Sequence, residues 1–90
     1  MGPVEKNMTE KLQKAFAPTH LRIVNESPKH AGHTGDNGTG ESHFRVEMTS
    51  TLFVGKNRVE CQRMVHDVLK EELVEQIHAL SLKLSAEAGN

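Results

Sequence analysis

Phe44, Val46 and Met48 alternate with His43, Arg45, Glu47 and Thr49, and this period of two commits the middle of the chain to a β-strand with one buried and one solvated face. Such a strand needs a cover for its apolar face, so the rest of the chain has to supply layers around it. After a turn at Gly55, Val59, Met64, Val65, Val68, Leu69 and Leu73 fall on one broad helical stripe, which predicts a helix of about four turns. His78, Leu80, Leu82 and Leu84 then return to a period of two, which predicts a last strand from about Ile77 with His78 in phase with its apolar side. Upstream, Asn7-Met8-Thr9-Glu10 has capping-box spacing and is followed by Leu12, Ala15 and Phe16, a short first helix that Pro18 ends. Leu21 to Glu26 reads as a brief strand stopped at Ser27-Pro28.

The order is therefore helix, strand, strand, helix, strand, a single small α+β domain. The Ser50 to Gln76 segment is long enough to be a crossover between parallel neighbours. Residues 1–8 read as a flexible lead, 9–84 as the domain and 85–90 as a flexible tail. Residues 27–41 form a long loop holding four of the seven glycines, Gly32, Gly35, Gly38 and Gly40, and a connection of that length in a small domain points to function or disorder.

Ninety residues leave no room for a large enclosed active site. The net charge of −1 provides no general field for a phosphate backbone. The single cysteine, Cys61, rules out an internal disulfide, which fits a reducing intracellular compartment, and it is too few thiolates to hold a four-ligand cluster alone. No apolar run approaches a membrane span of roughly 18 residues, and the first residues lack a signal-peptide profile. No nucleophile elbow, P-loop or dinucleotide fingerprint is present, and Glu71, Glu72 and Glu75 read as a solvated helix end, so the chain is expected not to be an enzyme.

Three histidines are candidates for metal chemistry. His30 and His33 flank Ala31-Gly32 in the glycine-rich loop, and imidazole suits borderline transition metals. If the last strand runs parallel to the second, His78 opens at the loop's end of the sheet; an antiparallel strand would put it at the far end. The competing reading is that the loop histidines are solvated and His78 merely ends a strand. His20, His43 and His66 read as an inter-element residue, a polar-face strand residue and a helix-surface residue. Cys61 reads as a small residue half-buried under the sheet in preference to an activated thiol. Lys56, Arg58, Arg63 and Lys70 outnumber the two acidic residues of 51–70, a conceivable phosphate-binding face on the main helix.

The ordered set Asn25-Glu26-Ser27 with His30, Glu41-Ser42-His43-Phe44-Arg45-Val46, Phe53-x-Gly55, Arg63-Met64-Val65-His66, Glu71-Glu72-Leu73 and His78-Ala79-Leu80-Ser81-Leu82 resembles the BolA family over roughly residues 9 to 84. The resemblance implies a fold like a class II KH domain, with a mixed three-stranded sheet and helices on one face. The KH Gly-x-x-Gly clamp is absent, Gly55 standing alone. It further implies a non-enzymatic adaptor, monomeric alone, that pairs with a monothiol glutaredoxin and shares a [2Fe–2S] cluster with it and glutathione. The context would be iron–sulfur protein maturation, with client proteins, or iron regulation, in a mitochondrial matrix or cytoplasm.

His78 matches the family's C-terminal ligand and His30 the loop ligand, with His33 the alternative. Arg63, His66, Ala79 and Leu80 would meet the partner. Imidazole ligation would raise the cluster's potential and make its retention pH-sensitive. A nucleic-acid-binding regulator using Lys56, Arg58, Arg63 and Lys70 is the alternative function. The chain departs from many relatives in having Cys61-Gln62-Arg63 before the helix's apolar run, and in lacking a Trp-containing segment after Leu84.

Overall fold

The structure is a computed structural model, and it describes residues 2–26 and 41–86. The elements are α1 (Pro3–Phe16), β1 (His20–Asn25), β2 (His43–Thr49), a 3-10 turn (Thr51–Phe53), α2 (Arg58–Val68), α3 (Lys70–Glu75) and β3 (Ala79–Ser85). The sheet order is β1-β2-β3, with β2 at the centre. β1 runs antiparallel to β2 and β3 parallel to it, which a crossover of this length permits.

Phe44, Val46 and Met48 are buried, and their partners Ile23, Leu21, Leu80, Leu82 and Leu84 pack on the same side. That side is covered by Val4, Met8, Leu12 and Phe16 of α1 and by Cys61, Val65 and Leu69 from the second helical region. The opposite side of the sheet carries Arg22, Arg45, Glu47, Ser81 and Lys83, with Arg45 lying 3.5 Å from Glu26 and 3.4 Å from Glu47. Both helical layers thus lie on one face of a mixed three-stranded sheet.

Several boundaries differ from expectation. α1 begins at Pro3, so residues 3–8 belong to the domain and not to a flexible lead. Its buried residues recur every fourth position, Val4, Met8, Leu12 and Phe16, and Ala15 is exposed. Pro3 suits the first helical position because its missing N–H would have no partner there. The N–H groups of Val4 and Glu5 instead donate to the Glu41 carboxylate at 3.3 and 3.0 Å. Glu41, expected to belong to the long loop, is buried; residues 27–40, the rest of that expected loop, lie outside the described residues, as does the tail beyond Ala86.

The main helix is broken at Leu69, whose φ of −98° and ψ of 16° leave the helical range and separate α2 from α3. Its start is set by a capping box: the Asn57 side chain accepts from the Glu60 N–H at 2.8 Å, and Glu60 accepts from the Asn57 N–H at 2.9 Å. Val59, expected on the apolar stripe, is 52% exposed, and Cys61 takes the buried position. Glu72 is buried as well, held by Lys11 at 2.8 Å, and so is no part of a solvated helix end.

Candidate functional site

One pole of the sheet gathers the end of β1 and the starts of β2 and β3. Asn25 pairs with Phe44, the Glu26 N–H donates to the His43 carbonyl at 2.8 Å, and His43 pairs with Ala79. Residues 27–40 leave the described chain after Glu26 and rejoin it at Glu41, beside this pole. His30 and His33 lie in that stretch, outside the described residues.

His78 sits immediately before β3, with Ile77 buried behind it. Its backbone N–H donates to the Ser42 carbonyl at 2.7 Å, and the Ala79 N–H shares that carbonyl at 3.2 Å. The main chain is thus pinned while the imidazole is exposed. The expectation that His78 follows the apolar side of the strand is corrected here: β3 starts one residue later, so Ile77, and not His78, goes inward.

His43 is the residue that sequence reasoning undervalued. Parity places it on the polar face, where it does lie opposite Ala79, yet it is only 8% exposed. Its ring centroid is 5.4 Å from that of His78, at an interplanar angle of 49°. Ser42 Oγ lies 2.8 Å from His43 Nδ1, a contact that fixes the ring's rotation. A hydrogen bond at one ring nitrogen is how proteins orient an imidazole and set its tautomer. The neighbouring Ser42-His43 and His78 were each visible in the sequence; only the parallel pairing of β2 and β3 makes them one site.

The remaining candidates distribute around this centre. Arg63 and His66 are exposed, three residues apart on α2, and Ala79 is exposed with Leu80 half-buried. α2 starts near the distant end of the sheet and runs back towards the His78 pole, so Arg63 and His66 lie on its nearer half. Lys56 and Arg58 are at the far pole, and Arg63 is turned roughly 140° around the helix from Arg58 at about 100° per residue. Lys70 belongs to α3. The four cations therefore do not form the single basic face expected of them.

Cys61 is also remote, at the first turn of α2 beside Leu82 and Leu84, near the end of β3 opposite His78. Burial pushes its thiol pKa up, with Glu60 adding to the rise and Lys56 opposing it. It is a core residue whose thiol donates weakly to the Lys56 carbonyl at 3.9 Å, and no activated thiolate.

Among the described residues no three His, Cys, Asp or Glu side chains are grouped to hold a metal ion. What the pole offers is imidazole, a borderline donor that suits iron or zinc, in a number that leaves coordination positions for other ligands.

The family model described as BolA-like protein matches residues 12–88. The chain belongs to the BolA-like family. A BolA-like protein 1 from Mus musculus is 39% identical over 87 residues, covering 97% of this chain and 61% of that protein. A Sinorhizobium protein described as uncharacterized, in the cobS 5′ region, is 44% identical over 82 residues, with 90% of this chain and 88% of that one covered. The SufE-like protein 1, chloroplastic/mitochondrial, of Arabidopsis thaliana is 36% identical over 86 residues, but the chain spans only 23% of its length.

Among solved structures, the BolA domain of SufE1 from Arabidopsis thaliana superposes with a TM-score of 0.88 at 34% identity, covering 100% of this chain and 99% of that one. The solution structure of BolA1 from Mus musculus gives 0.81 at 39% identity, with 98% and 68% covered. The α+β architecture with its mixed three-stranded sheet is thus that of the BolA-like fold. No helix of the described residues is long and apolar enough to cross a membrane.

Proposed function

We propose that this chain is a non-enzymatic adaptor that binds a monothiol glutaredoxin and shares a [2Fe–2S] cluster with it, in iron–sulfur protein maturation or iron regulation within a reducing compartment such as the cytoplasm or an organelle matrix. The observation that carries the reading is an exposed imidazole, His78, on a main chain pinned to Ser42, at the pole where the segment holding His30 and His33 departs and returns. His78 is the ligand from this side. His30, or His33 in its place, is the second, and the glutaredoxin cysteine with a glutathione thiol holds the other iron.

The cluster, when bound, joins the two proteins, with imidazole nitrogen in place of thiolate on one iron and a raised potential as the consequence. This chain's own residues orient and anchor. Ser42 holds the backbone of His78 and the ring of His43, and His43 packs beside the His78 ring. Arg63, His66, Ala79 and Leu80 form the contact surface for the partner. The name SufE-like, borne by a relative, agrees with an iron–sulfur setting for that protein.

The test is reconstitution with a monothiol glutaredoxin, iron, sulfide and glutathione, followed by visible circular dichroism. The wild-type chain is expected to give a heterodimer spectrum distinct from that of the glutaredoxin alone. His78→Ala abolishes that difference, whereas His20→Ala, exposed at the other end of β1, leaves it intact. A His78→Ala spectrum identical to wild type ends the assignment.

A further inference from the structure

At the pole away from His78, a cleft of about 430 Å³ opens between the start of α2 and the second half of β3. Three β3 residues, Ala79, Leu80 and Ser81, lie between His78 and its nearest lining residue, Leu82, which is roughly 13 Å from His78 at the rise of a strand. Its floor is apolar, with Phe53 buried and Leu82 and Leu84 half-buried. Its rim is cationic on the α2 side, where Lys56 and Arg58 stand; Lys83 borders it from β3 but belongs by alternation to the other face of the sheet.

Lys56 and Arg58 have no ion-pair partner among the described residues, whose pairs are Lys11–Glu72, Arg45–Glu26 and Arg45–Glu47. Glu60, on the first turn of α2, accepts from the Asn57 N–H in the capping box and makes no ion pair with either cation among the described residues. A floor that repels water and a rim of uncompensated positive charge are complementary to one kind of ligand. The volume, towards the low end of the range for small-molecule sites, limits its size.

We infer that this cleft binds a small organic anion, an apolar body carrying a phosphate or carboxylate head, with Lys56 and Arg58 around the head and the body against Phe53, Leu82 and Leu84. A phosphate and a carboxylate head share the chemistry, and the arms of the test separate them. The site needs neither cluster nor glutaredoxin, so it stands or falls separately from the function proposed above.

The experiment is amide chemical-shift titration of the full chain with hexyl phosphate and, in parallel, hexanoate, inorganic phosphate, hexanol and an oligothymidylate. Expected are saturable shifts confined to Phe53, Lys56, Arg58 and residues 82–86 for at least one of the two hexyl anions, the tighter naming the head group. Inorganic phosphate and hexanol, each holding half the chemistry, bind at least about tenfold more weakly, the scale of one charge-assisted contact or a short buried chain. The exposed-site substitution Arg58→Gln weakens the hexyl anion by a similar factor, and His78→Ala binds it as wild type does. Linear, unsaturable or scattered shifts would overturn the inference, as would inorganic phosphate matching the hexyl anions. Tighter oligothymidylate binding that spreads along α2 to Arg63 would replace it with a nucleic-acid surface.

Discussion

Ala17 is the described non-glycine residue with positive φ, at 43°, and it closes α1 by donating its N–H to the Gln13 carbonyl at 3.0 Å. An L-side chain in the left-handed region costs about 1–2 kcal/mol, and the following Pro18 narrows the choice further. Glycine loses more chain entropy on folding, which offsets part of the relief. Ala17→Gly is accordingly expected to raise unfolding stability by about 0.5–1 kcal/mol in urea, with an unchanged m-value. A loss of stability would show that the αL cap is not the conformation the chain adopts. The same scale explains why His43 was misjudged. Alternation tells which face a side chain takes, and it took the face correctly. It is silent about the end of a strand, where Ser42 and the His78 ring meet it.

Elements here are stopped and started by distant residues as often as by their own. α1 has Gly2 at its N-cap, which offers no side chain, and its first N–H groups are met by Glu41 some 36 residues on. A Cβ at Gly2 would meet that carboxylate, the far end of the Glu41 side chain, which would have to shift to make room. Glu41→Ala should cost about 1–2 kcal/mol, the scale of a lost cap together with a carboxylate at a helix N-terminus. Glu41→Gln, which keeps an acceptor but not the charge, should fall between. Denaturant unfolding reads both, and a neutral Glu41→Ala would deny Glu41 the capping role.

Two copies of one local pattern make the limit of sequence reading concrete. Asn57-x-x-Glu60 is a capping box, while Asn7-x-x-Glu10 lies inside a helix that starts at Pro3. Their spacing is identical; the difference is that Val4 and Met8 have a core to enter and Glu41 is there to receive the first N–H groups.

Across the whole molecule, the Lys11–Glu72 pair links α1 to α3 over 61 residues. Its hydrogen bond to Glu72 is the main reason the Lys11 pKa rises above its ordinary 10.5; partial burial opposes the rise, and the charges of Glu72 and Glu71 add to it. A raised value in the folded state means that the folded chain holds this proton more tightly. The stabilisation is therefore complete below 10.5 and is lost as pH climbs through the folded value. Lys11→Met should lower the melting temperature at neutral pH, and the gap from wild type should narrow only in the strongly alkaline range. A gap that is constant with pH would mean that the residue acts by packing alone.

By itself the sequence determined what repeats locally. The period-two runs at 43–49 and 80–84 and the helical stripe between them were enough for element order, and the length of the crossover allowed parallel pairing, because burying an apolar face imposes its own period on the residues; the direction of β3, and with it the pole at which His78 emerges, came from the fold. Tertiary structure alone decided what depends on a partner far along the chain: where α1 begins, that Glu41 and Glu72 are buried, that the long helix breaks at Leu69, and that His43 lies against His78. Hydrogen bonds and ion pairs of that kind leave no periodic trace, since each joins one residue to one other at a separation that only the completed packing sets.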